Sequence, residues 1–176
     1  VEGGAELAAR FAALPFDHLF FTGSTAVGRK VMAAAAPNLT PLTLELGGKS
    51  PAIIAADYPI ETAAARIAAG KFFNAGQTCI APDYVLVPRA KRDALVDALR
   101  QCVERSYPDF SQNPDFTSII NEGHFNRLRG LIDEARAGGA RIISLPNDAA
   151  HDPARRRFAP TLVLDAPLDS RLMQEE

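Results

Sequence analysis

Tryptophan is absent from the 176 residues, cysteine and methionine occur twice each, and histidine three times. Two cysteines, Cys79 and Cys102, cannot build a disulfide framework or a four-thiolate zinc cluster. His18, His124 and His151 stand far apart with no second ligand at metal spacing, so no metal site is expected. No apolar run approaches the ~20 residues that span a bilayer, and no basic-then-apolar leader opens the chain. Charge of one sign is also missing. With 19 Lys and Arg against 21 Asp and Glu, the net charge is −2, which excludes the broad basic field that nucleic acid or an anionic membrane surface attracts. What is present is a 47% hydrophobic chain near the ~150-residue scale at which one sizeable core forms. These features predict a soluble, cytoplasmic globular protein. Because the chain starts at Val1 and stops at Glu176, directly after Gln174-Glu175, we expect a piece of a longer protein.

Hydrophobic patterning alternates between two periods. Residues 3–14 are alanine-rich and helical in tendency up to Pro15, and 18–21 form a short apolar run that reads as a buried strand. A helix is expected over 25–36, a strand over 42–46 and another over 51–55. Ala64, Ile67, Ala68 and Phe72 recur at helical spacing within 60–73. A strand at 84–87, amphipathic helices at 89–106 and 122–138, and strands at 142–143 and 162–164 complete the pattern. Strands alternating with helices predict an α/β fold. The run Asp152 to Arg157 reads as a basic, solvated surface loop.

Three places could carry chemistry. Gly23-Ser24-Thr25-Ala26-Val27-Gly28 follows a strand and opens a helix, where unpaired N–H groups attract an anion. Arg29, Lys30 and Val31 stand where a P-loop needs Lys and then Ser or Thr, so a P-loop is excluded. An ordinary strand-to-helix turn and an anion-binding turn both remain. Glu45 is a lone carboxylate within Leu42-Thr43-Leu44-Glu45-Leu46. Half-buried among leucines it would suit a general base; on a solvent face it would be inert. Cys79 follows small and polar residues, which place it in a loop or tight turn where a thiolate could attack a carbonyl carbon. Cys102 lies near Leu99 and Val103 on an amphipathic helix and reads as a core residue, and the histidines read as structural or surface groups.

Taken together, Phe21 to Gly28, Leu44-Glu45-Leu46-Gly47-Gly48-Lys49-Ser50-Pro51 and Phe73-Asn74-Ala75-Gly76-Gln77-Thr78-Cys79 closely resemble the signatures of the aldehyde dehydrogenase superfamily, in order and spacing. Asn38 to Thr43, Ala81 to Tyr84 and Phe16 to Leu19 are most similar to the branch of coniferyl aldehyde and class 3 aldehyde dehydrogenases. The resemblance implies a three-layer, doubly wound α/β architecture, incomplete here. Residues 1–46 would be the C-terminal part of a Rossmann-like NAD-binding domain, and 47–176 most of the catalytic domain. It also implies NAD(P)-dependent oxidation of an aldehyde. In that scheme Cys79 is the nucleophile and Glu45 the general base. Gly23 and Ser24 face the cofactor pyrophosphate, the Leu46 backbone meets the nicotinamide amide, and Glu176 bonds the nicotinamide ribose. Asn74 and Lys49 match positions of mainly structural role. A small-molecule aldehyde partner and a homodimer of the full-length enzyme are further implications. Since family enzymes run to several hundred residues, the 176 residues alone are expected to be inactive. Cofactor-independent thiol esterase activity, or a non-catalytic domain, are the alternatives.

Overall fold

A computed structural model describes residues 2–145 and 149–176, and the chain divides between Gly48 and Lys49 into two compact units. In the first unit, α1 (Ala5–Ala12) is a run of good helix formers that stops short of Pro15. β1 (Leu19–Thr22) leads into α2 (Thr25–Ala35), and the chain returns as β2 (Leu42–Glu45). Ser24 starts α2 where expected: its Oγ accepts from the Val27 N–H at 3.3 Å. Pro37 follows in a short 3-10 turn, Ala36–Asn38, and the chain reverses through Leu39 at φ 55. β1 and β2 pair in parallel, Leu19 opposite Leu42 and Thr22 opposite Glu45. The expected burial of 18–21 is met only in part. Leu19 is buried, but Phe20 is 65% exposed, because successive side chains of a strand leave opposite faces of the sheet and the face of Phe20 is uncovered.

The second unit repeats the strand–helix–strand theme with β3 (Ser50–Ile53), α3 (Ile60–Phe72) and β4 (Pro82–Leu86), again parallel. Proline opens β4, a position that needs no N–H donor. A 3-10 turn at Arg89–Lys91 precedes α4 (Arg92–Ser106), so the helix expected from residue 89 begins one turn late. Then follow α5 (Glu122–Ala137), β5 (Arg141–Ser144), β6 (Thr161–Leu164) and the short α6 (Arg171–Gln174). β5 and β6 are antiparallel. The core of this unit lies between α3 and α4. Ala63, Ala64 and Ala68 face Leu95, Leu99, Cys102 and Val103, and the small alanines let the helices approach closely. Cys102 is the core residue its spacing suggested, buried to 7% exposure. The architecture is α/β as expected, built among the described residues from three two-stranded sheets.

The run from Asp152 to Arg157 is the exposed loop expected over 153–156, but its arginines are also held. Each caps a backbone carbonyl of the 107–120 stretch. Arg155 Nη1 donates to Ser111 O at 3.1 Å, Arg156 Nε to Ile119 O at 3.0 Å and Arg157 Nη1 to Phe110 O at 2.8 Å. The cause is local. Residues 107–120 form neither helix nor strand, so their carbonyls need donors from elsewhere.

Candidate active site

In the first unit, two of the motifs meet at the carboxyl ends of the parallel strands. Gly23 N–H donates to Glu45 O at 3.0 Å, placing the turn into α2 beside Glu45. Such strand ends, with a helix N-terminus alongside, are where open α/β sheets bind ligands. Ser24 takes the Val27 N–H, which leaves the first-turn N–H groups of Thr25 and Ala26 for solvent or an anion. This donor set fits the pyrophosphate of a dinucleotide. The space that glycine leaves at positions 23 and 28 is used by the protein itself. A Cβ at Gly23 would stand 2.6 Å from the Phe21 ring, and one at Gly28 2.9 Å from Leu46 Cδ2. Leu46 therefore packs down on α2, which fixes the backbone just after Glu45. The half-buried setting considered for Glu45 is not realised: it is exposed at the end of β2, which pairs among the described residues with β1.

In the second unit, α3 ends at Phe72 and the chain turns through Phe73–Gly76 to Cys79, which is exposed in a turn as expected. The turn is left-handed over three successive residues: Asn74 at φ 52, Ala75 at φ 53 and Gly76 at φ 79. Only the last is glycine, and an L-residue in this region costs about 1–2 kcal/mol. Compensation comes from Gln77. Its Nε2 donates to Asn74 O at 3.1 Å and to Ser118 O at 3.2 Å, while its Oε1 accepts from Ile120 N–H at 2.9 Å. Asn74 Nδ2 returns a bond to Gln77 O at 3.1 Å. Beneath the turn lie two lysines. Lys49 pairs with Asp83 and donates to Leu172 O at 2.7 Å, tying β3 to β4 and to α6. Lys71 folds against Gly76. Burial lowers its pKa from the ordinary lysine value; Asp83 opposes this, Lys49 reinforces it, and Glu176 opposes it. Glu176 thus lies near the root of the Cys79 turn, and its own carbonyl accepts from Arg127 Nη1 at 2.6 Å.

Two of the histidine rings hold structure and the third is on the surface. His18 Nε2 meets Thr43 Oγ1 at 3.0 Å, whereas His124 is exposed and only its backbone N–H is bonded, to Asn121 Oδ1 at 2.9 Å. His151 stacks on Phe158 at 3.8 Å and accepts the Ala159 N–H at Nδ1, 3.0 Å. Among the described residues no group of three acidic, cysteine or histidine side chains could hold a metal ion.

The sequence matches the model of the "Aldehyde dehydrogenase family" over residues 1–176. The chain belongs to the aldehyde dehydrogenase family. It is 51% identical over 176 residues to a "Probable coniferyl aldehyde dehydrogenase" of Pseudomonas aeruginosa, covering 100% of this chain and 36% of that protein. It is 43% identical to "Aldehyde dehydrogenase, dimeric NADP-preferring" of Rattus norvegicus, covering 100% of this chain and 37% of the relative. Among solved structures, the substrate-bound state of Staphylococcus aureus AldH superposes with a TM-score of 0.90 at 42% identity, over 100% of this chain and 37% of that one. The chain thus spans little more than a third of the length of these aldehyde dehydrogenases.

Within this family member, Gly23, Ser24, Glu45 and Leu46 gather at one sheet end of the first unit. Cys79 and Glu176 belong to the second. Sequence reasoning gave no role to Gln77, Lys71 or Arg156. For Gln77 a signal existed: a long amide among small residues, two positions before an exposed cysteine, has few uses besides bonding backbone. For Arg156 there was none, because its acceptor is 37 residues away.

Proposed function

We propose that the whole protein oxidises an aldehyde to the carboxylic acid with NAD or NADP as electron acceptor. In this reading residues 1–46 serve as the C-terminal part of the nucleotide-binding domain and 47–176 as most of the catalytic domain. The observation that carries it is the exposed thiol of Cys79, held on a left-handed turn by the Gln77 amide, in a chain matched throughout to the family. Cys79 Sγ adds to the aldehyde carbon, and the Cys79 N–H contributes to holding the resulting oxyanion. Gly23 and Ser24 would hold the cofactor pyrophosphate, and Leu46 and Glu176 its nicotinamide end, so that the cofactor would accept the two electrons and the hydrogen that leave that carbon. A thioester remains on Cys79. Glu45 then takes a proton from the water that hydrolyses it.

An aromatic substrate such as coniferyl aldehyde, or a fatty aldehyde, is supported by the name of the Pseudomonas aeruginosa relative and by the motifs at 38–43 and 81–84. A homodimer is supported by the name of the rat relative. No described helix is long and apolar enough to cross a membrane, and a cytoplasmic location is part of the proposal. The 176 residues by themselves are expected to show no turnover. The test is to follow NADH or NADPH formation from coniferaldehyde by the whole protein and by its Cys79→Ser and Glu45→Gln variants. Loss of turnover in the first and a stalled thioester in the second are expected; full activity of Cys79→Ser would sink the proposal. A second reading, cofactor-independent ester cleavage at Cys79, is favoured by one observation: every bond that holds the Cys79 turn comes from the second unit.

A further inference from the structure

The Cys79 turn is braced by a segment that has no secondary structure of its own. Ser118, Ile119 and Ile120 lie between α4 and α5, and their backbone groups find partners alternately, with Gln77 and with Arg156. Ser118 O and Ile120 N–H point to one side and are both taken by the Gln77 amide, at 3.2 and 2.9 Å. Ile119 points to the other side. There its N–H donates to Arg156 O at 2.8 Å, and its carbonyl accepts from Arg156 Nε at 3.0 Å. One residue therefore secures the back of the segment through a reciprocal pair of bonds, while Gln77 uses its front. Ile119 is itself 2% exposed, so the segment cannot slide without uncovering that side chain. Arg156 is set for this by a left-handed backbone (φ 52) and by its N–H bond to Pro153 O at 3.2 Å.

From this geometry we infer that Arg156 is a positioning residue for Cys79, acting through Ile119 and Gln77. The inference rests on Cys79 being the nucleophile. A turn with three left-handed residues holds its shape only while its surroundings over-determine it. Gln77 supplies that constraint only if Ser118 and Ile120 stay in place. Arg155, its neighbour, bonds Ser111 and Gln112 instead and has no path to Gln77.

The test is acylation of Cys79 in the whole protein by an activated aryl ester. Arg156→Met, which removes the Nε–H, is expected to lower the saturating acylation rate about tenfold, with the half-saturating ester concentration within about twofold of wild type. Arg155→Met should leave the rate within about twofold, and Arg156→Gln, whose Nε2–H stands as many bonds from the backbone as the arginine Nε–H, should restore part of it. Combining Arg156→Met with Gln77→Met should slow the reaction no further than Gln77→Met alone, since the two act in series. A wild-type rate in Arg156→Met, or equal slowing by Arg155→Met, overturns the inference. Hydrogen exchange at the Ile120 amide separates its failure from that of the nucleophile reading. If the wild-type protein is not acylated at Cys79, the nucleophile falls. In that case faster Ile120 exchange in Arg156→Met still supports the brace, and unchanged exchange refutes it.

Discussion

One ammonium group, that of Lys49, serves both a carboxylate and a carbonyl, and its side chain is only 22% exposed. Lys49→Met would leave Asp83, 20% exposed, without its partner and remove the bond to Leu172 O. A loss of about 1–3 kcal/mol in urea unfolding is expected. Arg10→Ala, which breaks the exposed Arg10–Glu6 pair, should cost under about 0.5 kcal/mol, and equal costs would refute the distinction. His151 gives a pH dependence. Its pKa is lowered from the usual value, first by burial and then by Arg136 and Arg129 of α5, against Asp133. Its Nδ1 also accepts an N–H, which requires the neutral ring. The unfolded chain therefore takes up the proton more readily. Stability from this residue is full above about pH 6.5 and declines as the pH falls below it, levelling off under the folded value. Urea midpoints between about pH 5 and 8 should show that decline, and His151→Gln should flatten it; identical curves would rule His151 out. At this scale the chain was readable where neighbours in sequence decide the role, as for Ser24 capping α2 or Cys102 facing Leu99. It was not readable for Arg155, Arg156 and Arg157, whose acceptors lie 37 to 47 residues away.

Elements followed their patterns because period and punctuation agree. α3 and α5 show helical spacing, and Gly138 ends α5. Pairing was less legible. The antiparallel match of β5 with β6 depends on register between segments separated by a long loop, which no local period encodes. The Phe73–Gly76 turn shows the same limit, since left-handed Ala75 violates its own preference and stands only through Gln77. Two substitutions probe it in opposite directions. Ala75→Gly should stabilise the fold by up to about 1 kcal/mol, because glycine meets no Cβ penalty at φ 53. Gly76→Ala should destabilise it by about 1–3 kcal/mol, since a Cβ there meets Lys71 O at 3.2 Å at a φ of 79. Thermal denaturation of both variants decides the matter, and a shift of the same sign in the two would contradict the described turn.

For the whole molecule, the α/β class was legible from alternation alone, but the exposure of its sheets was not. Phe20 at 65%, Ile53 at 75%, Leu86 at 52% and Phe73 at 70% exposure leave strand and turn residues uncovered. Large uncovered apolar side chains favour association. The 176-residue chain by itself is therefore expected to associate with rising concentration and to bind a hydrophobic dye. Sedimentation velocity over a concentration series checks this, and a constant monomer would contradict it. The arginine brace has a consequence of another kind. Arg155-Arg156-Arg157 offers three adjacent cleavage points to a trypsin-like protease, which needs its target strand pulled free. With every guanidinium tied to a carbonyl and Asp152 bridged to Arg157, the nick can form only while the loop is open. The rate of tryptic nicking after these arginines therefore acts as a clock for the opening of the Cys79 support.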